Sequence, residues 1–122
     1  MTYEYACTIK GWVDGDTVDV VIDLGFHIAL AERVRVAGIN SPEVHSKSPV
    51  EKSKGLAALD YAEHLAPAGS VLKIQTAKAT KETEKFGRWL ASIALADGRD
   101  FGAVMIHDGF AVPYGGGPRE KT

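Results

Sequence analysis

Alternation of apolar and polar residues predicts three strands near the start of the chain. Residues 3–13 fit a first strand and residues 17–23 a second, in which the even positions are apolar. Residues 26–37 fit a long third strand, because five of its six even positions are apolar and should meet the core. Those five are Phe26, Ile28, Leu30, Val34 and Val36. The odd positions then lie on the opposite, polar face, which is where we expect Arg35.

A capping signal predicts the first helix. Ser48 suits the N-cap, Pro49 the first helical position and Glu51 the third, and together they form a capping box. Apolar and small residues follow at helical spacing until Pro67 and Gly69 end the pattern. They are Gly55, Ala58, Leu59, Ala62, Leu65 and Ala66. This pattern predicts a helix with a narrow, small-residue face against the core.

Two more strands and a short helix complete the pattern. Residues 71–77 and 88–96 fit the fourth and fifth strands. Asp100 is a suitable cap for a short helix that ends at Gly109. The order of elements predicts a mainly β (α+β) fold: a five-stranded OB-fold barrel, with one helix between strands 3 and 4 and a short second helix after strand 5.

Length and composition fit one globular domain. The chain has 122 residues, enough for a single domain over residues 1–122, and its glycine-rich end at residues 114–122 is expected to be mobile. No apolar run approaches the ~20 residues of a membrane span, and no signal peptide is visible, so we expect a cytoplasmic protein with no membrane partner. The single cysteine excludes an internal disulfide, and the four histidines lack the spacing of a zinc site.

Four segments carry candidate chemistry, although each alone has an ordinary structural explanation. Residues 14–16 fit a hairpin turn, yet their two carboxylates also suit a hard cation. Residues 35–43 fit a strand that ends in a Ser-Pro turn, with a carboxylate just beyond the proline. The basic residues 85–88 are typical of a solvated turn, and Tyr114 of a packing residue at a sheet edge.

Together these segments meet the chemical needs of phosphodiester hydrolysis. A phosphorus centre that gains negative charge is stabilised by guanidinium groups, which Arg35 and Arg88 supply. A divalent cation adds positive charge, and Asp16 with the loop at residues 40–41 supplies oxygen ligands. A carboxylate orients or deprotonates the attacking water, a role that suits Glu43. The net charge of −2 argues against a protein that coats nucleic acid by bulk charge, but not against one local phosphate site.

The same segments resemble the staphylococcal-nuclease-like (thermonuclease) family. They are residues 13–18, 35–43, 85–88 and 109–114, and their order and intervals match the family's over nearly the whole chain. The resemblance implies an OB-fold barrel and a calcium-dependent endo- or exonuclease that binds and cuts DNA and RNA, leaving 3′-phosphates. In its short length the chain is similar to forms found in phage and bacterial genomes.

The resemblance also implies roles for single residues around the phosphate. It makes Arg35 and Arg88 the catalytic arginines, and Glu43 the carboxylate that positions or deprotonates water. Lys85 and Tyr114 resemble groups that contact the phosphate and the nucleotide.

For the metal, the resemblance implies calcium bound by Asp16, Asn40 and Ser41. Asn40 stands where the family usually has a second aspartate, so it brings an oxygen but no charge, and a dissociation constant as weak as roughly millimolar is expected. Ser41 stands where a threonine offers its backbone carbonyl. Longer family members end in a further helix. We therefore expect the short barrel to be stabilised by contact with a partner protein or with a second copy in a homo-oligomer.

Two other function classes compete with a nuclease. A non-catalytic OB-fold module that binds nucleic acid or protein is favoured by Asn40, but such modules use exposed aromatics, and most aromatics here are expected in the core. These aromatics include Trp12, Phe26, Trp89 and Phe101. A glycosidase that uses Asp16 and Glu43 fits less well, because paired arginines suit an anionic substrate better than a neutral sugar.

Overall fold

The elements of the fold are taken from a computed structural model, which describes residues 3–76 and 89–114. The strands are β1 (Glu4–Asp14), β2 (Thr17–Asp23), β3 (Ala29–Val36), β4 (Ile39–Asn40), β5 (Val71–Thr76), β6 (Trp89–Ala94) and β7 (Val112–Pro113). The helices are α1 (Pro49–Leu65) and α2 (Phe101–His107).

Five of these strands close into a barrel in the spatial order β1-β2-β3-β6-β5. Neighbouring strands run antiparallel except β3 and β6, which pair in parallel where Val34 faces Trp89. Helix α1 comes between the third and fourth barrel strands of the chain, and α2 follows the fifth. The predicted mainly β, five-stranded OB-fold barrel with two helices is therefore confirmed. Neither α1 nor α2 has the length and apolarity of a membrane-spanning helix.

The core fills the barrel and continues under the helices. On β2 the buried apolar residues are the predicted even positions, Val18, Val20 and Ile22, and the polar Thr17 at the start of the strand is buried as well. Trp12, near the end of β1, stacks on Phe101 of α2 with 4.5 Å between the ring centroids. The indole Nε1 of Trp12 also donates to the carbonyl oxygen of Ala66, 2.9 Å away. These contacts fix both helices against the end of the barrel at which β1 turns into β2.

Both helices have the predicted caps. The hydroxyl of Ser48 accepts from the backbone N of Glu51 at 3.4 Å, and the Asp100 carboxylate accepts from the first turn of α2. Gly109, in the left-handed region at φ 85°, follows the end of α2. The buried residues of α1 are the small ones, Gly55, Ala58 and Ala62. Because these side chains are so short, the axis of α1 lies close to the barrel.

Strand β3 departs from the prediction at its beginning. It begins at Ala29, because Phe26 and His27 adopt left-handed φ angles of 54° and 62° in a tight turn closed by the Leu24 N to Ile28 O bond. Phe26 is 95% exposed, and Ile28 and Leu30 are exposed as well, so the prediction that these three face the core was wrong. Of the five predicted positions only Val34 and Val36 are buried, and both lie in the part of β3 that pairs with β6.

Candidate active site

The turn between β1 and β2 is packed tightly against the rest of the protein. A Cβ added to Gly15 would lie 3.1 Å from side-chain atoms of both helices and of Ser41, so a larger residue could not fit without a shift. The carbonyl oxygen of Asp16 accepts from the Val36 N at 2.8 Å, which ties the turn to the end of β3. The turn is thus a hairpin, as its Asp-Gly pair predicts, and it also presents two carboxylates at one fixed place.

The Asp16 side chain is buried at the centre of this site. Its Oδ1 accepts from the hydroxyl of Thr17 and its Oδ2 from the backbone N of Ser41, both at 2.9 Å. The same Oδ2 lies 3.7 Å from Nη1 of Arg35. A buried carboxylate needs such donors because burial removes its hydration.

Arg35 lies on the face of β3 that points away from the barrel interior, as strand alternation predicts, but it is buried rather than solvated. Its Nη2 donates to the carbonyl oxygen of Ile39 at 3.2 Å and to Oδ1 of Asn40 at 3.1 Å. Its Cζ also lies 4.9 Å from the centre of the Tyr114 ring. The guanidinium group therefore contacts a carboxylate, neutral oxygens and an aromatic face.

A two-stranded sheet that the sequence analysis missed completes this side of the site. In it Ile39 of β4 pairs with Pro113 of β7, and Asn40 pairs with Val112. The Tyr114 N then donates to the carbonyl oxygen of Gly38 at 2.9 Å. This bond places Tyr114, which was predicted to contact the substrate, beside Arg35. Strands of two residues have no measurable period, so hydrophobic patterning could not reveal them.

Glu43 stands at the solvent edge of the same site. Its backbone is fixed on both sides: its carbonyl oxygen accepts from the Ser46 N at 3.4 Å, and the next nitrogen, of Val44, donates to Oδ1 of Asp14 at 3.1 Å. Burial raises the pKa of the Asp14 carboxyl, and the nearby charges of Asp16 and Glu43 raise this pKa further. Asp14, the other carboxylate of the turn, is thus an acidic neighbour of Asp16 and Glu43.

The predicted metal ligands offer oxygen atoms only. Asp16 supplies a carboxylate, Asn40 an amide oxygen and Ser41 a backbone carbonyl, and such hard donors suit calcium or magnesium. Within residues 3–76 and 89–114, no three histidine, cysteine, aspartate or glutamate side chains form a metal-binding group. A cation would therefore depend on the amide and carbonyl oxygens together with a single buried carboxylate, so the donor type fits while the ligand charge is low.

Two predicted site residues lie outside the described residues, namely Arg88 and Lys85, as does the predicted tail beyond Tyr114. Strand β6 begins at Trp89, and its register places Leu90 beside Arg35.

Trp89 is 52% exposed and Phe26 is almost fully exposed, so the expectation that these two aromatics lie in the core was wrong.

A family model described as Staphylococcal nuclease homologue matches the chain over residues 33–121. This region is well over half of the chain and contains the second half of β3, the Glu43 segment and Tyr114, while the turn with Asp16 precedes it. Comparison with curated proteins found no match. Proteins of the matched family are generally hydrolytic nucleases and bind nucleic acid.

Proposed function

The chain belongs to the staphylococcal nuclease family, and from that premise we propose that it is a metal-dependent nuclease. It hydrolyses phosphodiester bonds of DNA, with RNA as a second substrate, and leaves 3′-phosphates. Calcium is the cation we propose, bound by Asp16, Asn40 and Ser41.

The observation that carries this proposal is the burial of Arg35 next to Asp16 at one end of the barrel. Burial strengthens every electrostatic interaction at this place, because fewer water dipoles screen it. An arginine that is oriented by two neutral oxygens and a 3.7 Å contact to one carboxylate is well suited to donate to phosphate oxygens.

In the reaction that we propose, the oxygen of a water molecule forms a bond to phosphorus while the P–O5′ bond breaks. Glu43 positions this water and accepts its proton, and the departing 5′ oxygen takes up a proton from a solvent water molecule. Arg35 and Arg88 donate to the phosphate oxygens, whose negative charge grows in the transition state. Lys85 and Tyr114 contact the phosphate and the nucleotide.

When bound, calcium would supply positive charge next to the scissile phosphate. Its affinity is expected to be low, with a dissociation constant of roughly millimolar, because Asn40 contributes no charge. Substrate phosphate oxygens would add ligands to the cation, so we expect substrate and calcium to strengthen each other's binding.

The decisive experiment is a cleavage assay on single- and double-stranded DNA and RNA, with calcium, magnesium or a chelator. Glu43→Gln and Arg88→Ala should each lower turnover by about 10²–10³, the usual cost of one lost transition-state contact. Glu63→Gln, at an exposed position of α1, is the matched control and should cleave normally. A folded Arg88→Ala that turns over like the wild type would refute the proposed mechanism.

A second candidate is a non-catalytic OB-fold module that binds nucleic acid or protein. It is favoured by the amide at Asn40 and by the exposed Trp89, which could stack on a base. The cleavage assay and a gel shift together separate the two functions. A binding module would retard DNA in the gel shift but would show no calcium-dependent, chelator-sensitive cleavage.

A further inference from the structure

Gly55, in the second turn of α1, lies directly against the peptide that follows Glu43. A Cβ added at Gly55 would lie 2.6 Å from both the carbonyl carbon and the carbonyl oxygen of Glu43, and 2.8 Å from the N of Val44. All three atoms belong to the backbone, so no side-chain rotation could relieve the contact. Either the helix or the Glu43–Val44 peptide would have to move.

The helix has little freedom to move away. Ala58 and Ala62, one and two turns further along α1, are fully buried in the core. The end of the helix is tied to β1 by the 2.9 Å bond from Trp12 to Ala66. A residue larger than glycine at position 55 would therefore displace the peptide rather than the helix.

The peptide is also held from its other side. The Val44 N donates to Oδ1 of Asp14 at 3.1 Å, and the Val44 side chain is buried. The backbone that carries Glu43 is thus enclosed between α1 and the turn that follows β1. Glycine is a poor helix former, so this close contact, and not helix formation, explains its place in the middle of α1.

We propose that Gly55 is a positioning residue for Glu43. Its missing side chain sets how closely the Glu43 peptide approaches the turn with Asp14 and Asp16, and so where the Glu43 carboxylate stands beside the scissile phosphate. The inference rests on the proposed function, in which Glu43 acts on the attacking water.

The test compares two glycine-to-alanine variants. Gly55→Ala should lower kcat by about 100-fold with little change in KM, because a displacement of about 1 Å at a reacting group has a cost of that order. The matched control is Gly11→Ala in β1, where an added Cβ meets no atom within 4 Å. This variant should keep both constants.

A double-mutant cycle separates positioning from general damage to the fold. In a Glu43→Gln background, Gly55→Ala should cause no further loss of kcat, since the group that it positions is already gone. An equal loss in both backgrounds would mean that Gly55 has only a structural role. Wild-type turnover of a folded Gly55→Ala, while Glu43→Gln is impaired, would overturn this inference alone. Full turnover of Glu43→Gln itself would overturn the role of Glu43 and this inference together.

Circular dichroism and thermal unfolding establish that each variant folds. If Gly55→Ala does not fold, Val44→Ala loosens the same peptide from its other side. It should lower kcat in the wild-type background and not in Glu43→Gln, and an equal loss in both would count against the positioning role.

Discussion

Two arginine–aspartate pairs join β3 to the chain beside it, Arg33 to Asp19 of β2 and Arg35 to Asp16 just before β2, and they differ in burial and in geometry. Arg33 and Asp19 form a bidentate pair, with Nε–Oδ1 and Nη2–Oδ2 distances of 2.8 and 3.1 Å, on side chains that are 55% and 42% exposed. Arg35 and Asp16 lie 3.7 Å apart on side chains that are only 7% and 9% exposed. The better geometry is therefore at the surface, and the looser pair is buried.

The burial of the pair with the poorer geometry indicates that Arg35 and Asp16 do not lie together mainly to stabilise the fold. Removing two charges from water costs several kcal/mol per ion, which only excellent geometry offsets. Arg35 instead donates hydrogen bonds to Asn40 and to the backbone of Ile39, while Asp16 accepts from Thr17 and Ser41. Under the proposed function, such an arrangement would hold each charge in place for a third group, and a phosphate with its cation would fit both signs.

The largest effect should come from breaking the buried pair. Arg35→Ala should destabilise the protein by about 3 kcal/mol, because it leaves the buried Asp16 carboxylate without its cation. It should also lower the cleavage rate by about 10²–10³. Urea unfolding followed by circular dichroism measures the first quantity, and single-turnover cleavage the second.

Arg33→Ala is the matched control for that prediction, because it removes an arginine of the same strand. Arg33→Ala should lower the free energy of unfolding by less than about 1 kcal/mol, the usual contribution of an exposed ion pair, and leave the cleavage rate unchanged. Equal destabilisation by the two variants would show that burial does not distinguish the pairs.

A smaller effect is expected from the hydroxyl of Thr17, which donates to Asp16 at 2.9 Å. Thr17→Val keeps the shape of the side chain but removes this donor. It should lower the free energy of unfolding by about 1.5 kcal/mol, the lower end of the range for a hydrogen bond to a charged group. Thr8→Val, on the neighbouring strand β1 and away from Asp16, is the control for unfolding in urea. A Thr17→Val protein as stable as the control would mean that Asp16 is adequately held by its other contacts.

The charge of the metal site can be raised by one substitution. Asn40→Asp should bind calcium at least about tenfold more tightly, equivalent to about 1.4 kcal/mol, because affinity rises with the number of charged ligands. Isothermal titration calorimetry measures this directly, and a larger rise of Tm with calcium should accompany it. Unchanged affinity would argue that position 40 does not contact the cation.

The smallest effect should appear as a pH dependence of the exposed pair. The hydrogen bond from Arg33, and then its positive charge, lower the pKa of Asp19 in the folded protein. A carboxyl group with a lowered pKa stabilises the fold above its ordinary pKa of about 3.9 and loses that contribution as the pH falls through the lowered value. Wild type should thus exceed Asp19→Asn in stability at pH 7 by no more than about 0.5 kcal/mol, because solvent screens the pair. In urea unfolding the difference should shrink as the pH falls below the ordinary carboxyl pKa and vanish once Asp19 is protonated in the folded protein; a constant difference would contradict the assignment.

Local signals made much of the fold predictable. The caps at Ser48 and Asp100 and the alternation in β2 each depend on neighbouring residues, so the sequence reveals them directly. The start of β3 was mispredicted because Phe26 adopts a left-handed conformation that bulky residues rarely take, and alternation continues through this turn without a break.

The site was predictable in its residue types but not in its environment. Alternation gave the correct face for Arg35, yet the residues packed around it include Tyr114, which follows β7 near the other end of the chain. The contact of Gly55 with the Glu43 peptide is of the same kind, since it requires the packing of α1 to be known. The roles of Arg88 and Lys85 stay predictions from the family resemblance.

The pairing of β4 with β7 has a consequence for the order in which a ribosome makes the protein. Asp16, Arg35, Asn40 and Glu43 are all translated early, but the strand that pairs with Asn40 begins at Val112. The barrel likewise needs β6 before β3 has its parallel neighbour. A nascent chain therefore carries most of the hydrolytic groups long before it can hold them in register, so under the proposed function it would acquire the ability to cut nucleic acid only near the end of its synthesis.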